Sequence, residues 1–304
     1  MPSIAPFGLT GSWFKGNLHT HTTQSDGELD PEEAIAWYRA HGYDFVAITD
    51  HWVYTRGRRI GQDFITLSGA ELHGEGYHLL ALGLISLPDR SLADDPQATV
   101  RAVCARGGLA FFAHPYWTGQ RPSDMALVQG LAGIEVYNAV CEEMQGLGYA
   151  RVHWDELLGR GLRLFGLAVD DVHWRAEHNA QGKGFVMVKA ERLEEGSILE
   201  GLAKGHFYAS TGPRLEDLRV EWDEAGQMAL HVHCSPCRQI TFYAHGPTGR
   251  RFTAPAGEWL DHASLPLKEE QVFLRVECQD DLGRIAWSNP LYVRDVLHSP
   301  DAGR

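Results

Sequence analysis

Cysteine is scarce in this chain, and long apolar runs are missing. The five cysteines of the 304 residues are odd in number and show no disulfide framework, so a reducing cytoplasm is the expected location. No apolar run approaches the roughly 20 residues that a membrane helix needs. Residues 1–10 have neither a basic region nor an apolar core, which predicts that no signal peptide is present.

Positively charged residues are also few compared with acidic ones. Lysine and arginine number 27 against 40 aspartates and glutamates, which gives a formal net charge of -13. This balance argues against non-specific binding to a nucleic acid polymer or to an anionic membrane surface. A small anionic substrate would need local positive charge, and a cluster of metal ions could supply it.

Apolar strands alternate with amphipathic helices through the first two thirds of the chain. Asp30-Pro31-Glu32-Glu33 is typical of a helix start, because it combines an Asp cap, a first-turn proline and acidic residues near the positive end of the helix dipole. Strands are expected near residues 13–18, 45–51, 64–71, 79–84, 109–115, 133–138, 162–173 and 185–189. Seven or eight such units in about 190 residues predict an α/β fold with a parallel (β/α) barrel. A doubly wound open sheet is the alternative.

The pattern changes near residue 206. From there on, short alternating runs are separated by Gly, Pro and Asp, without a helix signal between them. This sequence pattern predicts a small β-sandwich of the immunoglobulin-like type. The expected domains are residues 1–205, a metal-dependent hydrolase barrel, and residues 206–304, the sandwich.

Side chains that can bind metal ions recur where the predicted strands end. They are His19, His21, His51, Glu71, His114, Asp171 and His173, with Asp26 on the loop after the first pair. In a barrel the carboxyl ends of parallel strands open on one face, so these side chains should converge there. His78 begins its strand and reaches this face only if a local hairpin forms, and His73 competes for the role. The set is too large for one tetrahedral ion, which indicates a centre of two or three ions.

These motifs resemble those of the PHP (polymerase and histidinol phosphatase) metallohydrolases. The matching motifs are His19-x-His21 with Ser25-Asp26-Gly27, Ile48-Thr49-Asp50-His51, Glu71 with His78, Ala113-His114-Pro115, and Asp171-x-His173. They follow the family's order and cover residues 13 to about 205. The C-terminal part, through the motifs at 207–213 and 286–290, is similar to the sandwich of a carbaryl-hydrolase-like subset.

The resemblance implies a distorted (β/α)7–8 barrel that holds two or three divalent ions, Zn, Mn or Fe. His19, His21, Glu71 and Asp171 would hold the first ion. Glu71 would bridge to a second ion, bound also by His78 and His114, and Asp26, His51 and His173 would hold a third. Many family members have His where this chain has Asp26. Glu71 and Asp171 would be the catalytic carboxylates, and a hydroxide bridging two ions would be the nucleophile.

Candidate substrate contacts lie on the loops after the ligand motifs. They are Arg56, Arg58, Asn138, Arg175, His178 and Lys183, and His178 could also protonate the leaving group. The arginines could bind phosphate, although a solvated surface run explains them equally well. Asp50 and Asp170 could orient ligating imidazoles or could simply cap strand ends. The aromatic residues beside the ligands could stack on a substrate ring or could only close the barrel mouth; they are Trp52, Tyr54, Tyr116, Trp117 and Trp174.

Three functions are consistent with this pattern. The first is a metal-dependent phosphoesterase that acts on a small phosphomonoester, a cyclic nucleotide or a nucleotide-like diester. The second is a metal-dependent carbamate or aryl-ester hydrolase, because a bridging hydroxide attacks a carbonyl carbon as well as phosphorus. The third is a non-catalytic, metal-stabilised module that recruits a partner. The expected ligand is a small molecule, and the oligomeric state stays open.

Overall fold

Strands outnumber helices in the computed structural model, which describes residues 5–222 and 227–298. The strands and helices up to residue 203 are β1 (Ser12–Asn17), α1 (Pro31–Ala40), β2 (Phe45–Ala47), β3 (Arg59–Ile60), β4 (Phe64–Leu67), β5 (Gly69–Gly74), β6 (Tyr77–Leu82), α2 (Pro96–Cys104), β7 (Leu109–Phe112), α3 (Pro122–Met125), β8 (Gly133–Asn138), α4 (Ala139–Gln145), α5 (Arg151–Gly159), β9 (Phe165–Val169), β10 (Phe185–Ala190) and α6 (Glu195–Ala203). The remainder are β11 (Phe207–Ser210), β12 (Leu215–Trp222), β13 (Met228–Cys237), β14 (Gln239–Ala244), β15 (Arg250–Thr253), β16 (Leu260–Pro266), β17 (Phe273–Gln279), β18 (Ile285–Ser288), β19 (Leu291–Tyr292) and α7 (Val293–Leu297). Within these ranges no helix has the length and apolar character required to cross a membrane.

The first helix begins where the sequence predicts. The Asp30 carboxylate accepts a hydrogen bond from the backbone N–H of Glu33 (2.9 Å), and the Glu33 carboxylate accepts one from the backbone N–H of Asp30 (3.3 Å). This reciprocal pair satisfies two amide groups that the first helical turn leaves without partners. The helix ends before Gly42, whose φ of 75° lets the chain reverse towards β2.

Two sheets surround the predicted ligand residues. The order β5-β6-β7-β8-β9 forms one sheet, and β1, β2, β4 and β3 lie at one end of a larger sheet. Isolated parallel bridges join the two sheets, Thr20 to Val172 and His51 to Glu71. The residues that follow β1 and β2 therefore lie beside β9 and β5, which brings the ends of strands from both sheets to one place.

The strands are not all parallel, and the sequence-based expectation of a wholly parallel sheet was wrong here. The pairs β5–β6, β6–β7 and β1–β10 are antiparallel. The chain turns directly from β5 into β6 at Glu75-Gly76, where Gly76 has a φ of 73°. A parallel connection needs a dozen or more residues, and this turn is far too short for one. The hairpin places His78 opposite His73, as the metal-site hypothesis for His78 requires.

The C-terminal strands form two layers around an apolar cluster. Strands β12, β13 and β16 make a three-stranded sheet, whereas β14, β15, β17 and β18 continue the large sheet. Buried apolar side chains from both groups pack together, among them Leu230, Val232, Ile240, Phe242 and Val276. The large sheet crosses the predicted domain boundary without interruption, because β11 pairs with both β10 and β18.

Candidate metal centre

The nine ligand residues expected from the sequence come together in one cluster. Four overlapping groups have all their ligand atoms within 4.8 Å of one another: His21, Asp26, His51 and His173; His19, Glu71 and His114; His19, His21 and Asp171; and His51, Glu71 and His78. His73 contacts the rings of His51 and His78, with centroids 4.9 and 5.2 Å apart, but belongs to none of these groups. The hairpin therefore brings in His78 as the candidate ligand.

The carboxylate of Glu71 lies at the centre of the cluster. Its Oε1 is 2.7 Å from His78 Nδ1 and 3.2 Å from His114 Nε2. Its Oε2 is close to three more imidazole nitrogens, those of His19 (3.2 Å), His21 (3.2 Å) and His51 (3.0 Å). The side chain is almost wholly buried, yet Oε2 makes no hydrogen bond of acceptable geometry with any of the three. Several lone pairs thus point into one small volume, as in a bridging metal ligand.

Asp171 repeats this arrangement on the opposite side of the first histidine pair. Its Oδ1 lies 3.1 Å from His19 Nε2 and 3.0 Å from His21 Nε2, and the two nitrogens are 3.1 Å apart. The same oxygen is buried and makes no hydrogen bond. Asp171 and His114 also have positive φ angles, 54° and 28°. Such backbone conformations cost free energy in non-glycine residues and concentrate at functional sites.

A more exposed group surrounds Asp26. Its Oδ2 lies 3.3 Å from His173 Nε2, and its Oδ1 lies 3.5 Å from His21 Nδ1 and 3.8 Å from His51 Nε2. The Ser25-Asp26-Gly27 turn holds this carboxylate over the cluster. A Cβ at residue 27 would lie only 2.6 Å from the His21 carbonyl carbon, so the turn requires glycine there.

The chemistry of these donors fits divalent metal ions. Six imidazoles and three carboxylates are the mixture that suits Zn, Mn or Fe. Glu71 Oε2, Asp171 Oδ1 and His51 Nδ1 are buried and have no hydrogen-bond partner in the part of the chain that the structure describes. Buried charged groups without partners are costly, and cations bound among them would remove that cost. The residues present could therefore hold metal ions.

The electrostatics of the cluster lead to the same conclusion. Burial lowers the pKa of His21, but Asp171 and Glu71 raise it more, and the result is a pKa of about 9. Burial opposes the charged form of Glu71 and Asp171 as well, yet the imidazoles around them hold both carboxyl pKa values well below their ordinary range. The site is thus strongly attractive to positive charge, whether protons or metal ions carry it.

Glu135 completes the centre, and the sequence analysis did not identify it. It is fully buried in the middle of β8, where its Oε1 accepts from His19 Nδ1 (2.7 Å) and its Oε2 accepts from the His114 backbone N–H (2.7 Å). Asn138 donates to the same carboxylate (2.8 Å) and to Asp171 Oδ2 (3.0 Å). Glu135 therefore fixes the orientation of an imidazole, as carboxylates next to metal ligands do. The sequence signal that could have identified Glu135 was a single charged residue within an otherwise apolar strand.

The two aspartates beside the ligands hold loops rather than imidazoles. Asp50 accepts from Thr22 N (2.8 Å), Thr22 Oγ1 (2.6 Å) and Ser25 Oγ (2.5 Å). Asp170 accepts from the Tyr38 hydroxyl and from the backbone amides at 182 and 184, each at 2.7 Å. Burial raises the pKa of Asp170 to about 6 in spite of these hydrogen bonds. Both aspartates keep the segments next to the ligands in place.

A cavity of about 230 Å³ opens over the cluster. Two of the predicted substrate contacts, Arg175 and His178, line it. Arg175 Nη2 donates to the Asp26 carbonyl (3.0 Å). His178 is buried and its Nδ1 has no hydrogen-bond partner within the described residues, while burial, His173 and Arg175 lower its pKa.

The remaining predicted substrate contacts lie elsewhere. Arg58 pairs with Glu32 on the surface, and Arg56 is exposed outside the cavity lining. Lys183 pairs with Glu143 (2.8 Å). Asn138 lies beneath the ligands, where it also caps α4 through its side chain. The antiparallel pairing of β3 with β4 turns the arginine loop away from the ligands.

The cavity also has an apolar wall that the sequence analysis did not foresee as a unit. Val140, Cys141 and Met144 of α4 face it, together with Trp117. Trp117 is the one member of the predicted aromatic set that lines the cavity.

Comparison with solved structures relates the whole chain to a known fold. It is similar to a two-domain protein from Bacteroides vulgatus that is described as containing a predicted PHP-like metal-dependent phosphoesterase. The TM-score is 0.50 at 15% sequence identity, and the match covers 96% of this chain and 98% of that chain. At this level of identity the likeness shows a shared fold, which extends over both parts of the molecule.

Two further structures match about half of the chain. One is a proposed metal-dependent phosphoesterase from Bifidobacterium adolescentis, with a TM-score of 0.37 and 15% identity over 52% of this chain and 87% of that one. The other is an amidohydrolase from Chromobacterium violaceum, with a TM-score of 0.37 and 15% identity over 55% of this chain and 90% of that one. No protein-family model and no curated protein matches the chain.

Proposed function

We propose that this chain is a metal-dependent phosphoesterase of the PHP type that hydrolyses a small phosphomonoester, a cyclic nucleotide or a nucleotide-like diester. The observation that carries the proposal is the convergence of nine candidate ligand side chains, with the buried carboxylates of Glu71 and Asp171 among them. The order of the sequence motifs and the shared two-domain fold support it.

The ligand groups suggest how metal ions would be distributed. His19, His21, Glu71 and Asp171 would hold one ion, because Glu71 Oε2 and Asp171 Oδ1 both lie near the two imidazoles. Glu71 Oε1 lies near His78 and His114 and would share a second ion with them. A third would lie between Asp26, His51 and His173. Ions in these places supply Lewis acidity and make water a nucleophile at neutral pH. Glu135 and Asn138 keep the His19 ring and the Asp171 carboxylate in position while substrate binds.

Arg175 and His178 are the predicted substrate contacts that line the cavity, and they would face the substrate. The Arg175 guanidinium projects into the cavity beside Asp26 and would bind a non-bridging phosphoryl oxygen. The His178 side chain also lines this cavity. It would transfer a proton to the leaving oxygen as the P–O bond breaks.

A carbamate or aryl-ester hydrolase is the second candidate, and one observation favours it. Of the four basic residues predicted to contact phosphate, Arg175 alone lines the cavity. The same cavity has an apolar wall that includes Trp117 and Met144, and the Trp117 ring contacts the rings of two candidate ligands. A neutral ester with an aromatic alcohol would suit such a cavity as well as an anionic ester would.

Metal analysis together with two sets of assays tests the proposal. The purified chain is loaded with Mn or Zn and offered p-nitrophenyl phosphate, bis-p-nitrophenyl phosphate, an aryl N-methylcarbamate and an aryl acetate. We expect two or three ions per chain and chelator-sensitive release from a phosphate ester. His178→Gln should lower kcat by about 10²-fold or more while the metal content stays the same.

The outcomes separate the candidates. Turnover of the carbamate or acetate without turnover of either phosphate ester would replace the first candidate by the second. Bound metal without turnover of any of the four compounds would refute both and leave a binding module. Glu177→Gln is a matched control for His178→Gln, because Glu177 is exposed on the same loop and does not line the cavity.

A further inference from the structure

We infer that the cavity binds an aromatic ring of its substrate against the apolar wall that includes Trp117 and Met144, so that the substrate class is an aryl or arylmethyl ester. The inference rests on the proposed function in one respect, namely that the ester group approaches the metal ligands. The wall is a separate feature, built from residues that bind no metal and take no part in the proposed bond cleavage.

The Trp117 ring packs at a steep angle against the rings of two proposed metal ligands. Its indole ring is nearly perpendicular to the His114 ring (86°, centroids 5.1 Å apart) and to the His78 ring (75°, 5.9 Å). The indole N–H donates to the Gln145 side chain at the end of α4. This hydrogen bond fixes the plane of the ring, while 42% of the residue stays exposed. One indole surface is therefore available to a ligand that reaches the cluster.

Helix α4 supplies the rest of the apolar wall. Val140 and Cys141 are buried beside the cavity, and Met144, which is 53% exposed, extends the wall towards solvent. A flexible thioether is a favourable neighbour for an aromatic ring. An aromatic ring that enters beside Trp117 would thus gain stacking on the indole and a sulfur contact with Met144.

The wall is held at a fixed place relative to the ligands. Asn138 caps α4 by accepting from the Cys141 backbone N–H (3.1 Å), and it donates to both Glu135 and Asp171. One side chain therefore connects the start of the apolar helix to the buried carboxylates. Such a link keeps a constant distance between the apolar wall, where the aromatic ring would bind, and the metal ligands, where the ester group would bind. Selection of substrates by shape requires a constant distance of this kind.

The contacts also distinguish a plain aromatic ring from a strongly polar one. The wall residues are a valine, a cysteine, a methionine and a tryptophan, and Gln145, which lies beside them, already accepts a hydrogen bond from the indole N–H through its side-chain oxygen. Buried polar edges of a ligand without partners would cost affinity here. Phenyl and naphthyl groups, or heteroaromatic rings with few polar atoms, are consequently the best fit.

Binding of matched ligands to the metal-loaded full chain tests this inference. Isothermal titration calorimetry compares benzylphosphonate, cyclohexylmethylphosphonate and methylphosphonate, which share one head group. We expect benzylphosphonate to bind about tenfold or more tightly than methylphosphonate. We expect it to bind about threefold to tenfold more tightly than the cyclohexyl compound, because stacking adds to area burial.

Variants locate the effect on the wall. Trp117→Ala should remove the preference for the aromatic ring, whereas Trp117→Phe should keep most of it. Tyr116→Ala is the matched control, since Tyr116 is a neighbouring, 46% exposed aromatic residue that does not line the cavity. Equal affinities for the two ring compounds, or a preference that survives in Trp117→Ala, would overturn the inference.

A second pair of ligands keeps this test independent of the proposed function. Phenylacetate and cyclohexylacetate carry the same rings on a carboxylate and need no phosphate specificity. If no phosphonate binds and no phosphoester is hydrolysed, but phenylacetate binds more tightly than cyclohexylacetate in a Trp117-dependent way, the phosphoesterase proposal fails and the ring site stands. If phosphoesters are hydrolysed and neither pair shows a ring preference, the phosphoesterase proposal stands and the ring site is refuted.

Discussion

Two clusters of charged side chains are buried in this molecule, and they satisfy their charges in opposite ways. In the first, Arg275 of β17 donates to both oxygens of Asp155 in α5 (2.6 and 2.8 Å) and to Glu277 (2.6 Å). Glu277 also accepts from Trp287 (3.1 Å) and Arg151 (3.2 Å). In the second, the Glu71 and Asp171 oxygens meet several imidazoles, and one oxygen of each lacks any hydrogen bond.

The difference separates a structural cluster from a functional one. Around Arg275, carboxylate oxygens accept hydrogen bonds from the guanidinium N–H groups. This cluster therefore needs no metal ion. Around Glu71, three carboxylates and six imidazoles are nearly all potential electron-pair donors, and such a set could bind cations. Both clusters are buried and charged, so these two properties do not distinguish a structural cluster from a metal-binding candidate. The hydrogen-bond geometry does.

Glu71→Gln should break the second cluster most severely. The amide removes the negative charge shared by five imidazoles and places an NH₂ group against their nitrogens. We expect activity to fall by on the order of 10³-fold and metal content to fall with it. Elemental analysis and initial rates measure both. Glu75→Gln, on the exposed turn of the same hairpin, is the control, and full activity of Glu71→Gln would refute both hydrolase proposals.

Arg275→Met should break the first cluster without affecting the second. It leaves Glu277 buried without its main partner, which should cost about 3–5 kcal/mol in the free energy of unfolding. Urea denaturation measures the loss, and metal content per folded chain should stay constant. Arg151→Met removes a half-exposed partner of the same Glu277 and should cost less than about 1 kcal/mol. Equal losses in the two variants would contradict the distinction.

Removal of the metal ions should affect the second cluster only. Ligand binding stabilises the folded state by about 3–4 kcal/mol when the free ion exceeds its Kd by 100- to 1,000-fold. Dialysis against a chelator should therefore lower the unfolding free energy by about this amount, and added Mn or Zn should restore it. The same loss is expected in Arg275→Met, because the two clusters share no residue. An unchanged unfolding free energy after chelation would refute the metal-centre assignment.

Glu135→Gln tests the finer structure of the metal cluster and should have the smallest effect. The amide still contacts His19 but no longer attracts its ring proton as a carboxylate does. We expect metal affinity to fall by about 10- to 100-fold, as measured by competition with a chelating dye. Activity should recover at saturating metal, which a general loss of folding would not permit. Glu143→Gln, on α4 and paired with Lys183, provides the control.

The convergence of the nine candidate ligands was predictable because it depends on short-range patterns. His19, His21, His51 and His114 each follow an apolar run, and parallel neighbours bring such positions together irrespective of loop detail. The role of His78 depended on a tight turn that Glu75-Gly76 makes possible. Glu135 was harder to recognise, because it lies within its strand and not at the end.

The substrate contacts were less predictable because loop direction depends on tertiary pairing. Arg58 follows the ligand His51 in sequence, but β3 pairs with β4 and its side chain reaches Glu32. The apolar wall combines Trp117 with residues of α4, and their proximity depends on a hydrogen bond to Gln145. A single sequence contains no local signal for either arrangement.

The pairing of β11 with both β10 and β18 has a consequence for fragments of this chain. A polypeptide ending at residue 205 would lack β11 and would present the backbone N–H and C=O groups of β10 along a bare edge. Unprotected edges of this kind recruit strands from other molecules. Such a fragment should self-associate, as static light scattering would show. The C-terminal part therefore supplies a covering strand for the N-terminal part, and the two should be expressed as one unit.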